Sequence, residues 1–370
     1  MKSTIGTMAA ILAMATVAGA QEKKSWTDTI ALKGDFRYRI ESIDEEGKDQ
    51  RDRHRIRLRV GASAEVNDEV KTFLRLATGD GDPVSTNQTL GDGFSKKDIH
   101  LDLAYAEWKP AVTPGLVLLG GKVENPFIAV ADLVWDSDLT PEGVAATYKA
   151  GEGGQVMAGA GYFWVEERSS GDDTMLYGGQ VAAKVGVGKG ATLLAGASYY
   201  LYDQVKGQEL FVDPEKSFGN TTETIDVGTA EEPEEMLVYA EDFAEVEGFV
   251  QLDFDLGVPV AVYGQYVVNQ DASAYDTGYL GGFTVGKAKD PGSFEFGYNY
   301  RELEANAVLG AFADSDSSGG GTDGRGHKVM AKYQFFKSWQ CAATYYMDEK
   351  GISKTAKDYN RLQVDLMAKF

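Results

Sequence analysis

The segment "RDRHRIRLRVGASAEV", residues 51–66, in which every second side chain is apolar from Ile56 onwards, is the feature that most constrains this chain. Arginine occupies every odd position from Arg51 to Arg59, while the even positions from Ile56 onwards are apolar. Successive side chains of a β-strand point to opposite faces, so this segment predicts a strand with one charged and one apolar face. A soluble sheet packed on a core shows the same pattern, so one such strand does not decide the fold.

The alternation recurs along the chain, for example in "EGFVQLDFDL" (247–256), "SFEFGYNYR" (293–301), "HKVMAKYQF" (327–335) and "RLQVDLMAKF" (361–370). Alternating segments of about ten residues, separated by turns, are typical of a transmembrane β-barrel whose polar face lines water and whose apolar face meets lipid. Short turns alternate with longer links, as expected for periplasmic turns and extracellular loops. We therefore predict an all-β fold, a transmembrane antiparallel β-barrel of about 16 strands. The predicted strand centres are Phe36, Leu58, Leu74, Leu103, Leu118, Ala146, Ala160, Ala182, Ser198, Leu252, Tyr263, Phe283, Tyr298, Tyr333, Thr344 and Val364.

The start of the chain predicts export. Residues 1–20 contain Lys2, an apolar run and a small-x-small pattern that ends at Ala20, which together indicate a cleaved secretory signal peptide. No interdomain linker follows, so residues 21–370 are expected to form a single outer-membrane barrel domain. With a formal net charge of -21 the chain is a poor candidate for binding nucleic acid. The single cysteine, Cys341, cannot form an internal disulfide.

The third long link, "GGKVENPFIAVADLVWDSDLTPEG" (120–143), is unusually apolar for an exposed loop, because Phe127 and Trp135 need something to pack against. Asn125-Pro126-Phe127 followed by "LVWDSDLTPEG", together with an amphipathic last strand that ends in Phe370, resembles the putative porin family of Gram-negative outer membranes. The resemblance implies a sixteen-stranded porin, a homotrimer in outer-membrane lipid and lipopolysaccharide, that passes small hydrophilic solutes and ions by passive diffusion. It implies no cofactor. It also implies that this loop folds into the barrel and narrows the channel.

The candidate site combines that loop with a basic wall. Arginine near the bilayer midplane costs ~2–4 kcal/mol when it faces lipid. Arg55, Arg57 and Arg59, here called the arginine row, must therefore face the lumen. Folding the first hairpin about Gly47 sets Arg39 opposite Arg55 and Arg37 opposite Arg57. The predicted wall comprises Arg37, Arg39, Arg55, Arg57, Arg59, Lys71 and Arg75. The predicted constriction loop comprises Glu124, Asn125, Pro126, Phe127, Asp132, Trp135, Asp136 and Asp138.

A basic wall facing an acidic loop predicts a transverse field that orients dipolar solutes and tunes ion selectivity. The alternative is that the arginines only tie the loop down by salt bridges, and that the loop plugs and stiffens the barrel without selecting a solute. Arg51 and Arg53 lie beside "DEEGKD" and are expected to pair with that loop. A second expectation concerns the acidic link 206–245, which we predict to be a solvated, mobile loop, or else a site for Mg²⁺ or Ca²⁺ between lipopolysaccharides.

A lipid-hydrolysing barrel enzyme and a secreted soluble β-protein are the two alternative functions. A barrel enzyme that hydrolyses lipid needs a base, and His100, at the start of the fourth predicted strand, is the best placed of the three histidines. The chain contains no catalytic or metal-binding motif, so no catalytic residue and no metal site is predicted. The other function class is a secreted soluble β-protein, which would pack its apolar faces together.

Overall fold

The computed structural model describes residues 29–152, 154–228 and 234–370. The predicted signal peptide, residues 1–20, lies outside the described residues, as does part of the acidic run at 231–235. Within the described ranges, no helix is both long and apolar enough to cross a bilayer.

The structure is built from strands. In chain order they are β1 (Ile30–Glu45), β2 (Arg51–Glu65), β3 (Val70–Thr78), β4 (Gln88–Thr89), β5 (Ile99–Trp108), β6 (Leu116–Lys122), β7 (Glu142–Ala150), β8 (Gly154–Glu166), β9 (Thr174–Gly186), β10 (Thr192–Asp203), β11 (Thr222–Asp226), β12 (Glu235–Tyr239), β13 (Phe243–Asp255), β14 (Pro259–Asn269), β15 (Thr277–Gly286), β16 (Phe294–Leu303), β17 (Gly324–Phe336), β18 (Trp339–Lys350) and β19 (Lys357–Lys369). Two single-turn 3-10 helices, Gly310–Phe312 and Ser317–Gly319, lie between β16 and β17.

Sixteen strands form one closed antiparallel barrel, which confirms the predicted fold class. Each barrel strand pairs with the next along the chain, and β1 pairs with β19 from Asp35↔Lys369 to Glu45↔Tyr359, which closes the ring. All sixteen predicted strand centres fall within barrel strands. The alternation does not predict the other three, because they are short: β4 pairs with β2, and β11 and β12 form a separate hairpin.

The links alternate in length, as the sequence predicts. Turns such as 66–69 and 187–191 join neighbouring strands at one end of the barrel, while four long links join strands at the other end. The long links are residues 79–98, 123–141, 204–242 and 304–323.

The two faces of the barrel wall have opposite character. On the outward face, Val60, Val250 and Val364 each expose at least 42 % of their surface, whereas the inward Glu41 and Gln363 are almost fully buried. A soluble protein buries its apolar side chains and exposes its charged ones. An outward apolar band is the pattern of a membrane barrel, so the alternative of a soluble β-protein is wrong.

The main apolar cluster forms against inward-facing side chains of β8, β9, β10 and β13, and the long links supply the rest of it. The link 204–242 contributes Val205, Leu210 and Phe211, all buried, and its strands β11 and β12 pair with each other. The expectation of a purely solvated loop is therefore wrong for this part. The acidic side chains Glu215 and Glu223 are exposed. The buried Val205, Leu210 and Phe211 pack the link against the barrel.

Candidate pore constriction

β1 and β2 place the predicted arginines side by side. Arg37 lies opposite Arg57 and Arg39 lies opposite Arg55, which confirms the predicted register of the first hairpin. Like charges at opposed positions destabilise a strand pair unless other groups offset them. The partners of these guanidinium groups therefore decide what the row does.

Carboxylates on the same wall supply part of the offset. Asp35 of β1 accepts hydrogen bonds from Arg57 Nη2 at 2.9 Å and from Arg59 Nε at 2.8 Å. Asp365 of β19 accepts two from Arg39, one from Nε at 2.7 Å and one from Nη2 at 2.9 Å. Such bidentate, charge-assisted pairs are the strong ones. The row is thus an ion-paired surface rather than a free basic patch.

Arg37 and Arg55 meet a polar group of the link 79–98 instead. Arg37 Nη2 donates to Asn87 Oδ1 at 2.6 Å, and Arg55 Nη2 donates to the Asn87 carbonyl oxygen at 3.5 Å. The carboxylate of Asp365 lies 4.0 Å from Arg37 Nη1. These two guanidinium groups are less closely neutralised than those of Arg39, Arg57 and Arg59.

The predicted loop, residues 123–141, meets the row through Asp138. Asp138 Oδ1 lies 3.2 Å from Arg59 Nη1 and 3.9 Å from Arg57 Nη1. Its other oxygen accepts a hydrogen bond from Thr86 Oγ1 at 3.1 Å. The loop is therefore joined both to β2 and to the link 79–98.

The same loop reaches cations on β16 and β17 through Asp132. Arg301 Nη2 donates to Asp132 Oδ1 at 2.9 Å, and Lys328 Nζ donates to Oδ2 at 3.3 Å. Burial alone would raise the pKa of Asp132, but the adjacent Lys328 and Arg301 outweigh it and lower the pKa below its usual value. Asp132 is therefore ionised at any physiological pH.

The apolar half of the loop packs on another part of the wall. The Phe127 ring lies 5.3 Å from that of Tyr200 on β10 and 6.3 Å from that of Phe163 on β8. Trp135 Nε1 donates to Tyr202 Oη at 2.9 Å. The aromatic residues that predicted a packed loop are thus all buried against β8 and β10.

Asp136 connects the loop to the link 304–323. Its Oδ2 accepts the backbone N–H of Ser315 at 2.9 Å, and its Oδ1 accepts that of Asp138 at 2.7 Å. Burial, together with the nearby Asp314 and Asp138 carboxyls, raises the pKa of Asp136 to about 8. Near neutral pH this carboxyl is therefore largely protonated.

Other predicted residues lie at the edge of this arrangement. Asn125 Oδ1 accepts the N–H of Phe127 at 3.0 Å across the half-buried Pro126. Arg75 is hydrogen-bonded to Asp102, and Glu124, whose side chain is mostly exposed, lies 3.5 Å from Arg75 Nη1.

Lys71, which belongs to the predicted wall, and Arg53, which does not, each pair with a carboxylate on a neighbouring strand. Lys71 pairs with Glu65 at 2.8 Å near the short-turn end of the barrel, far along the strand from the loop contacts. The expectation that Arg53 pairs with the loop at 44–49 is wrong, because its side chain points inward and is hydrogen-bonded to the buried Glu41 of β1. Arg51 is exposed.

The sequence interpretation missed the second acidic partner of the wall. Asp316 Oδ1 lies 2.8 Å from Arg361 Nη2, and Asp314 Oδ2 lies 2.7 Å from Arg301 Nη2. Both aspartates follow the apolar run "NAVLGAFA" at 306–313. Residues 120–143 are predicted to pack because a link with apolar side chains would otherwise expose them to water. The same criterion identifies the run 306–313.

A cavity of about 290 Å³ lies where these groups meet. Its cationic lining comes from Arg37, Arg39 and Arg57 of the first hairpin and from Lys328 and Lys332 of β17. Its carboxyl lining comes from the two links and comprises Asp132, Asp136, Asp138, Asp314 and Asp316. The cavity therefore has cations on the barrel wall and carboxyls on the links.

The histidines make ordinary polar contacts. His100 Nε2 lies 3.0 Å from the Gly79 carbonyl oxygen, and His54 and His327 each share a hydrogen bond with a tyrosine hydroxyl. Across the described ranges, no group of three or more histidine, cysteine or acidic side chains is arranged to hold a metal ion.

A closed sixteen-stranded barrel with an outward apolar band and inward ionised side chains defines the class of outer-membrane channel proteins. A sequence profile of the family described as "Putative porin" matches residues 42–236 and 218–370. The chain therefore belongs to this family and is an outer-membrane porin. No protein with curated annotation matches the chain by sequence.

Solved structures show the same fold. OprB of Pseudomonas putida is 10% identical and aligns with a TM-score of 0.60 over 93% of this chain and 95% of its own. The trimer form of OmpT, an outer-membrane protein of Vibrio cholerae, is 15% identical, with a TM-score of 0.52 over 93% of this chain and 100% of its own. OmpF of Salmonella typhi, solved in complex with daunomycin, is 12% identical, with a TM-score of 0.52 over 94% and 100%.

Proposed function

We propose that the protein is a passive diffusion channel for small hydrophilic solutes and ions, narrowed by residues 123–141 folded into the lumen. One observation carries the proposal. Within this single link, Asp138 pairs with Arg59 on β2 and Asp132 pairs with Arg301 on β16, while Phe127 packs against Tyr200 on β10. A link that contacts inward side chains of strands so far apart around the ring spans the interior of the barrel.

The charges at this level support ion selectivity. Cations of the wall and carboxyls of the links line one cavity, so a solute that passes between them experiences a transverse field. The arginines also hold the loop in place, because Arg59 Nη1 is 3.2 Å from Asp138 Oδ1. In this proposal the arginines both hold the loop and contribute to the transverse field. The two roles are compatible, since an ion pair at a narrow point fixes the loop and also shapes the electrostatic potential there.

Deletion of the loop tests the narrowing. Replacing residues 124–138 with a short glycine-serine turn removes Phe127, Trp135 and the three aspartates, so single-channel conductance in a planar bilayer should rise and solute discrimination in a liposome-swelling assay should weaken. Replacing residues 169–172, an exposed stretch of the link between β8 and β9, with glycine and serine serves as the control for changes in an external loop. Unchanged conductance in the loop variant would mean that residues 123–141 do not narrow the channel.

The remaining features belong to the same proposal. The chain is exported with residues 1–20 as its signal peptide, assembles as a homotrimer and contacts lipid and lipopolysaccharide, and it is a channel rather than an enzyme. The hydrogen bond from His100 to a carbonyl oxygen, rather than to a hydroxyl nucleophile, supports the last point. A His100→Ala variant should therefore behave as the wild type does in a lipid-hydrolysis assay.

A further inference from the structure

The link 304–323, between β16 and β17, has the same two-part build as the loop 123–141. Its apolar half is buried in the cluster that holds Phe127 and Trp135: Val308 and Leu309 expose at most 1 % of their surface. The Phe312 ring lies 6.2 Å from that of Tyr202 on β10. An apolar segment of this kind does not stay in water when a packed site is available.

Hydrogen bonds from backbone N–H groups join the two links into one unit. Asp136 N donates to the Phe312 carbonyl oxygen at 2.9 Å, and Ser315 N donates to Asp136 Oδ2 at 2.9 Å. From the other side, the link 204–242 fixes the segment through Asn220, whose Oδ1 accepts from Gly310 N at 2.8 Å and whose Nδ2 donates to the Val308 carbonyl oxygen at 2.9 Å.

The acidic half of the segment reaches three wall cations, and two of them, Arg361 and Arg39, make no contact with the loop 123–141. Asp316 lies between Arg361 of β19, at 2.8 Å, and Arg39 of β1, at 3.4 Å. Burial would raise the pKa of Asp316, but Arg361 and Arg39 outweigh it and hold the pKa well below its usual value. Asp314 contacts Arg301 at 2.7 Å.

We propose that residues 304–323 form a second constriction segment, and that Asp314 and Asp316 are specificity-determining residues that favour cations over anions in the channel. The inference rests on the proposed channel function. A fixed negative charge at a narrow point lowers the energy of a passing cation and raises that of an anion. The arginine row acts in the opposite sense, so the balance between row and aspartates sets the selectivity.

Single substitutions test this without leaving a buried cation unpaired. In Asp316→Asn, Arg39 keeps its bidentate partner Asp365, and Arg361 keeps Glu41. In Asp314→Asn, Arg301 keeps Asp132 at 2.9 Å. Both variants should therefore fold, which a heat-dependent shift in gel mobility can verify.

The measurement is the reversal potential in a planar bilayer under a potassium chloride gradient. Each variant should shift it towards anions, and the double variant should shift it further than either single one. Asp271→Asn removes a carboxylate from an exposed position in the link between β14 and β15 and should leave the reversal potential unchanged. Replacement of residues 305–321 by a short turn should in addition raise the conductance.

The outcomes distinguish a failure of this inference from a failure of the proposed function. If the wild type conducts but the folded double variant keeps both its reversal potential and its conductance, residues 304–323 are not part of the constriction and this inference is wrong. If Asp271→Asn shifts the reversal potential as much as Asp316→Asn does, the effect is one of overall charge, which also overturns the inference. If the wild type forms no channel at all, the proposed function itself fails.

Discussion

At the scale of single residues, the meaning of a charged side chain depends on its partner. The arginine row looks like a strong basic patch in the sequence, yet Asp35 is shared by Arg57 and Arg59, and Asp365 is bound by Arg39. The strand period predicts that the arginines of one strand share a face, since this needs only local information. It does not predict that two wall carboxylates neutralise much of it, because Asp365 is brought to Arg39 only when β19 closes the barrel on β1.

Asp136 should make the selectivity depend on pH. Its folded-state pKa of about 8 lies above the ordinary aspartate value, because burial and the carboxyls of Asp314 and Asp138 disfavour its charge. The folded protein thus holds this proton more tightly than the unfolded chain does, and the stabilisation from the neutral carboxyl, complete below about pH 4, declines as the pH rises to about 8. Above that pH the ionised group adds one negative charge beside the cavity.

We therefore expect the wild-type reversal potential to move towards cations between about pH 7 and pH 9, around the pKa of about 8. Asp136→Asn keeps the side-chain shape but cannot ionise, so the same titration should leave its reversal potential close to that of the wild type at low pH. A wild-type curve and a variant curve that move in parallel would show that another group is responsible.

At the scale of elements, two glycines of the wall make room for the loop. A Cβ at Gly178 of β9 would lie 2.5 Å from Phe127 Cζ, and one at Gly159 of β8 would lie 3.3 Å from Phe127 Cδ1. Overpacking of this kind typically costs ~1–3 kcal/mol. The Phe127 ring therefore occupies a space that the wall leaves open by omitting side chains.

Gly178→Ala should displace Phe127 and loosen the loop without any change of charge. We expect a higher and less uniform single-channel conductance, with a reversal potential shifted less than in variants that remove an aspartate. Gly179→Ala is the matched control, because no atom lies within 4 Å of a Cβ at that neighbouring, outward-facing position. If the two variants have the same conductance, the packing position of the Phe127 ring does not determine the channel width.

The strands can be predicted from the sequence, whereas the packing of the links cannot. Every barrel strand is long enough to express the two-residue period, so all sixteen are predictable. The links have no period. The composition of residues 120–143 predicts that they pack, but the choice of β8 and β10 as the packing surface arises from contacts between residues far apart in the chain, such as Trp135 with Tyr202.

At the scale of the whole molecule, the interior of the barrel has two sides of different character. One side, against β8, β9, β10 and β13, is filled by an apolar cluster, and the other, against β1, β2, β17 and β19, carries the ionised groups and the cavity between them. Closure of the barrel by β1 and β19 completes the charged side, since Arg39 and Asp365 come from these two strands. We propose that the channel follows this side, where the cavity is lined by charged groups.

The reversal potential of a variant in which Arg55, Arg57 and Arg59 are all replaced by glutamine tests this account most directly. The measurement is made in a planar bilayer under a salt gradient, beside the wild type, with heat-dependent gel mobility as the check on folding. Removing three cations from the charged side leaves its carboxylates in excess, so the account predicts a shift of the reversal potential towards cations. A folded variant with the selectivity and conductance of the wild type would contradict it, because the row would then lie outside the path of permeation.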